Sequence, residues 1–220
     1  MGLGAIHKLG IDGEEIQGMT NALDFVAGYK SGEITSAPAK VAVIGAGNTA
    51  IDAAIAAVRL GSKEVTMVYR RGQEQMSAFG FEYDHAKHEG VKFLWHVAPV
   101  GIKKQGLLHK SVEALELAKL EVSTDGSLVP VKGSEFALAV DLIVLAIGQA
   151  THTEFLNDGK LKLERGRIVI DRATGQTTNA KFFAGGDCTN GGREVVDAVA
   201  DGKRAGIGIA AWLEGKNANA

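Results

Sequence analysis

Three small groups of residues carry types and spacings that could do chemistry. The first is Gly45-Ala-Gly47-Asn48-Thr49-Ala50. Gly45 permits a sharp strand-to-helix turn, Gly47 has no side chain to hold a ligand's backbone away, and Ala50 lets a helix lie close to a sheet. The free N–H groups of a helix's first turn and the positive end of its dipole would then face a pair of phosphates. The second group is Arg70 and Arg71, whose planar donors match phosphate oxygens. The third is Gly185-Gly186-Asp187, a carboxylate behind a glycine pair that can accept from sugar or ribityl hydroxyls. Each group also has a plain structural reading: a corner that binds nothing, a solvated Arg pair, and an Asp that stabilises a turn.

The surrounding elements decide how far the chemistry can be taken. A glycine pattern alone is weak evidence, but here Val41 to Ile44 supply an apolar strand before it and Asn48 to Leu60 an Ala-rich helix after it. Gly61-Ser62 stops that helix, and Glu64 to Tyr69 alternates as a second strand. An NAD site usually places Asp or Glu at the end of this strand to accept from the ribose; Arg70 and Arg71 stand there instead, which favours NADP(H). Further along, Phe81 to Glu89 reads as a helix stopped by Gly90, Val91 to Val97 as a strand, and Val112 to Val122 as a strand or ribbon. A turn at Asp125-Gly126 and a hairpin through Pro130 and Gly133 lead to Asp141–Gly148. That apolar run suits a strand buried on both faces, and Gly148 would end it beside the cofactor. In the last third, Arg167 to Asp171 and Asn179 to Ala184 read as short strands, the second feeding Gly185-Gly186-Asp187. A helix from Arg193 to about Leu213 follows, small enough in its residues to lie close to a sheet or cofactor.

Composition narrows the class. With 220 residues, 24 Lys and Arg against 26 Asp and Glu, and a net charge of −2, the chain has no charge bias toward nucleic acid or anionic lipid. No run of about 18 apolar residues is present and the N-terminus lacks the features of a signal peptide, so a cytoplasmic location is expected. One cysteine, Cys188, excludes an intrachain disulfide, a C-x-x-C pair and any four-cysteine cluster built from these residues. It reads as a small packed residue beside a glycine turn. His85 and His88 share a polar helix and are expected to be solvated, with no metal ligand role; His7, His96, His109 and His152 are given none either.

The segments Val43–Asp52, Val68-Tyr-Arg-Arg71, Ala146-Ile-Gly-Gln149 and Phe183–Asp187 with Ala198–Ala205 resemble the NADPH-dependent flavoprotein family of the glutamate synthase small (beta) subunit. The flavin half of dihydropyrimidine dehydrogenase and related ferredoxin-NADP reductases are similar. The resemblance runs over essentially the whole chain. It implies an α/β fold in which a Rossmann-like NAD(P)-binding lobe, three-layered with a mainly parallel sheet, is inserted into an FAD-binding lobe. The expected boundaries are residues 38–147 for the first and 1–37 with 148–220 for the second. Carried over, Gly45, Gly47, Asn48, Thr49 and Ala50 would hold the NADPH pyrophosphate and Arg70 and Arg71 its 2′-phosphate. Gly186 and Asp187 would meet the ribityl and pyrophosphate part of FAD, and Gly191 to Val196, including Glu194 and Val195, would approach the flavin ring. Gln75-Met76-Ser77-Ala78 departs mildly from the family's acidic residue, Met, Pro, Ala.

That family also carries a cysteine-rich iron-sulfur domain and a strand-glycine-helix cradle for FAD, and both are expected to be missing here. The FAD lobe would then be incomplete. The resemblance implies a subunit or fragment that passes hydride from NADPH to FAD; the alternative is an NADP(H)-binding module without turnover of its own. No catalytic side chain is assigned. Uncovered apolar segments such as Phe182, Phe183 and the 193–213 helix lead to the expectation of a homo-oligomer or a partner chain.

Overall fold

A computed structural model of the chain describes residues 2–105, 111–152, 156 and 159–215. In chain order the first half forms β1 (Leu3–Ile6), β2 (Met19–Asn21), α1 (Ala22–Ser31), β3 (Lys40–Ile44), α2 (Asn48–Arg59), β4 (Glu64–Tyr69), a 3-10 turn (Gln73–Gln75), α3 (Gly80–His88) and β5 (Lys92–Trp95). The second half forms β6 (Val97–Gln105), β7 (Ser111–Val122), β8 (Leu128–Pro130), β9 (Phe136–Ala139), β10 (Leu142–Leu145), β11 (Gln149–Thr151), β12 (Leu163–Glu164), β13 (Arg167–Ile168), α4 (Asp187–Asn190) and α5 (Val195–Leu213). The chain divides into two compact units, one of residues 8–148 and the other of residues 1–7 with 149–220.

The 8–148 unit is built on a five-stranded sheet ordered β2-β10-β3-β4-β5, in which every neighbouring pair is parallel. Alternate residues of its strands go to opposite faces. Val41, Val43, Val65, Met67 and Val144 pack with the helices, where Ala50, Ala53, Ala54 and Ala57 are fully buried. Ala side chains bring the α2 backbone close to the strands, as the alanine-rich pattern anticipates. The opposite face buries Ala42, Ile44, Val68 and Ile143 against Val97, Ile102, Val112, Leu115 and Leu117. Those residues come from the antiparallel layer in which β7 pairs with β6, β8 and β9. Helices, parallel sheet and antiparallel sheet make the three layers of an α/β fold.

The strand expected over Arg167 to Asp171 spans only Arg167–Ile168, and β8 and β9 each pair with β7 rather than with one another as a hairpin through Pro130 and Gly133. The elements differ from the expectations in three further places. The unit boundary falls after His7 rather than after residue 37, because β2 extends the parallel sheet beside β10 and Phe25 of α1 is buried in the same core. The strand expected over Val91 to Val97 is two strands, broken at His96, whose φ of 55° cannot continue a ladder. No strand forms over Asn179 to Ala184; residues 179–181 turn, and only the single bridge between Gln176 and Phe183 remains. Asn179, whose side chain accepts from Lys181 N–H and whose carbonyl accepts from Phe182 N–H, bends the backbone there.

The other unit holds two short antiparallel pairs, β1 with β11 and β12 with β13, together with α4 and α5. Asp171 braces a loop inside it by accepting from the N–H groups of Ala173 and Thr174. His109 lies outside the described residues.

Candidate functional site: a phosphate cradle at the carboxyl edge of the parallel sheet

Strand order reverses between β3 and β10, since the chain leaves β3 toward β4 on one side while β10 pairs on the other. Ligands of open parallel sheets bind at such a switch point, outside the carboxyl ends of the strands. Gly45 occupies that point. Its φ is 138°, and a Cβ placed on it would lie 2.2 Å from the Ala146 carbonyl oxygen at the end of β10. The turn is pinned from both sides: Gly45 N–H donates to Val68 O over 3.0 Å, and Ala146 N–H donates to Ile44 O over 2.8 Å.

Gly47 has a different task. It is the N-cap of α2 with φ −95° and ψ 175°, a conformation open to any residue, and no side chain caps it. Beyond its chain neighbours, a Cβ on Gly47 would meet among the described residues only the Ser77 hydroxyl, at 3.4 Å. The requirement here is space rather than conformation. Ala50 and Ile51 donate their N–H groups to Gly47 O, which leaves those of Gly47, Asn48 and Thr49 to point out of the helix start. No acidic side chain occupies the first turn, so the positive end of the helix is not neutralised from within. Ala50, fully buried, keeps the helix on the sheet.

Asn48 does something its position alone did not indicate. Its side-chain oxygen accepts from Phe79 N–H over 3.2 Å, so the amide ties the helix start to the loop before α3. That loop is also fastened at Ala46, whose carbonyl accepts from the N–H groups of Ser77 and Ala78.

Arg70 and Arg71 follow β4 directly at the same edge of the sheet, and both are exposed. Neither guanidinium has a hydrogen bond or ion pair among the described residues, which leaves their donors available to an anion. The Arg71 carbonyl accepts from His96 N–H, and Gly72 N–H donates to the Gln75 side chain, so the backbone carrying the pair is held. Gly148, with φ 96°, lies three residues beyond β10, again at the carboxyl edge. The residues read from the sequence as a cradle, an Arg pair and a strand end are thus gathered along neighbouring strands of one sheet.

The remaining expected residues belong to the second unit. Gly186 has φ 74° and caps the four-residue α4, whose first residue is Asp187. The Asp187 side chain is half-buried and has no hydrogen bond among the described residues. Glu194 is the N-cap of α5 without a side-chain capping bond, and Val195 begins the helix, 79% exposed. Burial pushes the Cys188 thiol up from its ordinary value, which suits a packed residue over a nucleophile.

Asp201 is the residue the sequence reading passed over. It accepts from Gly186 N–H at 3.0 Å and from the Asn190 side chain at 3.1 Å, and it pairs with Arg204 at 2.7 Å. The Gly186 N–H bond, followed by the Arg204 contact, holds its carboxyl below the ordinary 3.8. A Cβ on Gly185 would fall 2.9 Å from that of Asp201, so the glycine pair is needed partly because α5 passes directly over it. The available signal was Asp201 three residues before Arg204 in a helical segment, a spacing that places an acid and a base on one face.

Comparison with known proteins agrees with this geometry. The model of the pyridine nucleotide-disulphide oxidoreductase family matches residues 2–202. The NADP(+)-dependent formate dehydrogenase subunit beta of Moorella thermoacetica is 37% identical over 96% of this chain and 31% of its own length. The glutamate synthase [NADPH] small chain of Escherichia coli is 33% identical over 97% of this chain and 50% of its own. The chain therefore spans about a third to a half of the length of these relatives. Among solved structures, thioredoxin reductase of Lactococcus lactis superposes with a TM-score of 0.73 at 26% identity, over 97% of this chain and 65% of that one. Thioredoxin reductase of T. acidophilum shares the fold, with a TM-score of 0.76 at 22% identity, over 97% of this chain and 64% of that one. Cradle, sheet order and family match converge, and the chain belongs to the pyridine nucleotide-disulphide oxidoreductase family.

Proposed function

We propose that the 8–148 unit binds NADP(H) and that the chain serves an NADPH-dependent flavin oxidoreductase, in which hydride passes from NADPH to FAD. The observation that carries this is the pairing of an open phosphate cradle, Gly45 to Ala50, with two Arg side chains at the end of the adjacent strand that have no partner among the described residues. Relatives whose names specify NADP or NADPH support the choice of nucleotide. The cradle suits the pyrophosphate because its three outward N–H groups are neither capped nor opposed by an acid. Arg70 and Arg71 would hold the 2′-phosphate. Gly148 would border the cofactor at the end of β10.

In the second unit, Gly186 and Asp187 would meet the ribityl and pyrophosphate part of FAD, with Glu194 and Val195 toward the flavin. The Asp187 carboxylate, without a hydrogen bond among the described residues, fits a hydroxyl-rich chain, since it accepts only. When bound, NADPH supplies the hydride and FAD receives it; the protein's part is to hold the two in register. The lone Cys188 gives these residues no thiol pair, so dithiol exchange is not part of the reading despite the family's name. A second copy or a separate chain would cover the exposed apolar side of α5, and the protein would act in the cytoplasm. Among the described residues no helix is long and apolar enough to cross a membrane.

Replacing Arg70 and Arg71 together by Ala tests the nucleotide assignment. NADPH affinity is expected to fall at least about tenfold, as for the loss of two charge-assisted phosphate contacts, while NADH affinity barely changes. Equal losses for both nucleotides in a fluorescence titration would reject the 2′-phosphate role. Flavin absorbance on the purified protein, and NADPH-driven dye reduction after adding FAD, separate turnover from binding alone.

A further inference from the structure

The space left by the missing side chain of Gly47 opens onto one atom. Among the described residues, and apart from its own chain neighbours, the one atom within 4 Å of where a Cβ would stand is the Ser77 hydroxyl oxygen, at 3.4 Å. A phosphate oxygen admitted by Gly47 therefore arrives beside an O–H donor from a different segment of the chain.

That donor is weakly engaged. Its own contact is to the Ala46 carbonyl at 3.4 Å, the long limit for an O–H···O bond. The same carbonyl already accepts shorter bonds from Ser77 N–H at 3.2 Å and Ala78 N–H at 3.1 Å. A carbonyl oxygen has two lone pairs, so the hydroxyl is the surplus third donor and can turn away at little cost. The backbone beneath it cannot turn so easily. Two bonds to Ala46 and the bond from Phe79 N–H to the Asn48 side chain fix the loop against the start of α2.

We propose that Ser77 is a further ligand of the dinucleotide pyrophosphate, its hydroxyl donating to a phosphate oxygen lodged over Gly47. This rests on the NADP(H) reading of the cradle and deepens it. The charge of the ligand makes the exchange favourable, since a hydroxyl bonded to a phosphate is stronger than one bonded at long range to a crowded carbonyl. Ser77 differs in role from Arg70 and Arg71. It touches the part common to both nucleotides, so it adds affinity without discriminating between them.

The experiment is a binding titration of NADPH and of NADH against the chain and its Ser77 variants, with circular dichroism to confirm folding. Ser77→Ala is expected to weaken both nucleotides by the same factor, roughly three- to tenfold. Ser77→Thr, which keeps the hydroxyl, is expected to stay within about twofold of the original. Ser77→Asp, which sets a negative charge against the phosphates, is expected to lose both nucleotides more severely than Ser77→Ala. Unchanged affinities in Ser77→Ala, or a loss in Ser77→Thr as large as that in Ser77→Ala, would overturn the assignment. A loss confined to NADPH would place the hydroxyl at the 2′-phosphate and also overturn it. If the unaltered chain bound neither nucleotide, the cradle reading and the Ser77 role would fall together.

Discussion

Gly45 and Gly47 are two residues apart and are glycine for unrelated reasons. Gly45 is forced by its φ of 138° and by the Ala146 carbonyl, 2.2 Å from any added Cβ. Gly47 has an ordinary φ, and beyond its chain neighbours the described residues bring only the Ser77 hydroxyl near. The two Ala variants should therefore separate folding from binding. Gly45→Ala is expected to cost about 3 kcal/mol or more, since strain and collision combine and the β3–β10 contact must open. Gly47→Ala is expected to change stability by no more than about 1 kcal/mol, as for a compatible site, yet to lower NADPH affinity at least about tenfold. Urea unfolding and nucleotide titration on the same two proteins check this; equal destabilisation by both would show that Gly47 too is structural. The positions were readable as a motif because glycine spacing reports where bulk is forbidden. What the spacing could not give was which prohibition comes from the fold and which from the ligand, since that depends on Ala146 and Ser77, one a hundred residues away and the other thirty.

At the scale of elements, legibility follows how locally each element is determined. β3, α2 and β4 were readable to within a residue or so, because apolar runs, alanines and the Gly61 stop lie inside the segments themselves. The strand expected over Asn179 to Ala184 was not, because Asn179 competes for the backbone and no neighbour supplies a ladder there. β2 was invisible as part of the parallel sheet, having three residues and a partner, β10, over a hundred positions on. The joint between α4 and α5 is likewise non-local, and it turns on Asp201. With its carboxyl held below the ordinary 3.8, first by Gly186 N–H and then by Arg204, the folded state favours the charged form. A depressed carboxyl contributes stability that is fully present above its unfolded value and is lost as pH falls through the folded one. The second unit should thus weaken as pH drops below about 4, the usual carboxylate range. Asp201→Asn should lose about 1–2 kcal/mol at neutral pH, as for charge-assisted bonds near the surface, and should flatten that acid dependence. Thermal melts of both proteins between acid and neutral pH provide the check. An acid slope identical in the variant would remove Asp201 from the account.

For the molecule as a whole, much of the exposed apolar surface falls on α5. The helix turns Asp201, Ala205 and Gly208 toward the Gly175 and Gly185-Gly186 loops, where a Cβ on Gly208 would lie 2.2 Å from the Thr174 carbonyl. Its other residues include Val195 at 79% exposure, Val196 at 73%, Val199 at 65%, Ile207 at 63% and Leu213 at 71%. Scattered apolar residues on a surface need no explanation, but this many on one helix form a patch that water does not favour. The near-zero net charge of −2 offers little long-range repulsion to keep two copies apart. In the purified chain the available partner is another copy, so association is expected to rise with concentration. Lys at Val199 and Ile207 together with Glu at Leu213 should abolish it, because burying charge across an apolar contact is costly. The same substitutions should leave NADPH binding unchanged, since the cradle and the Arg pair belong to the 8–148 unit and α5 does not. Light scattering over a concentration series, beside a nucleotide titration, reads both effects. A monomer at every concentration would mean that the apolar side of α5 is either tolerated in water or reserved for a different chain, and mixing with a flavin-binding partner would then be the experiment to distinguish them.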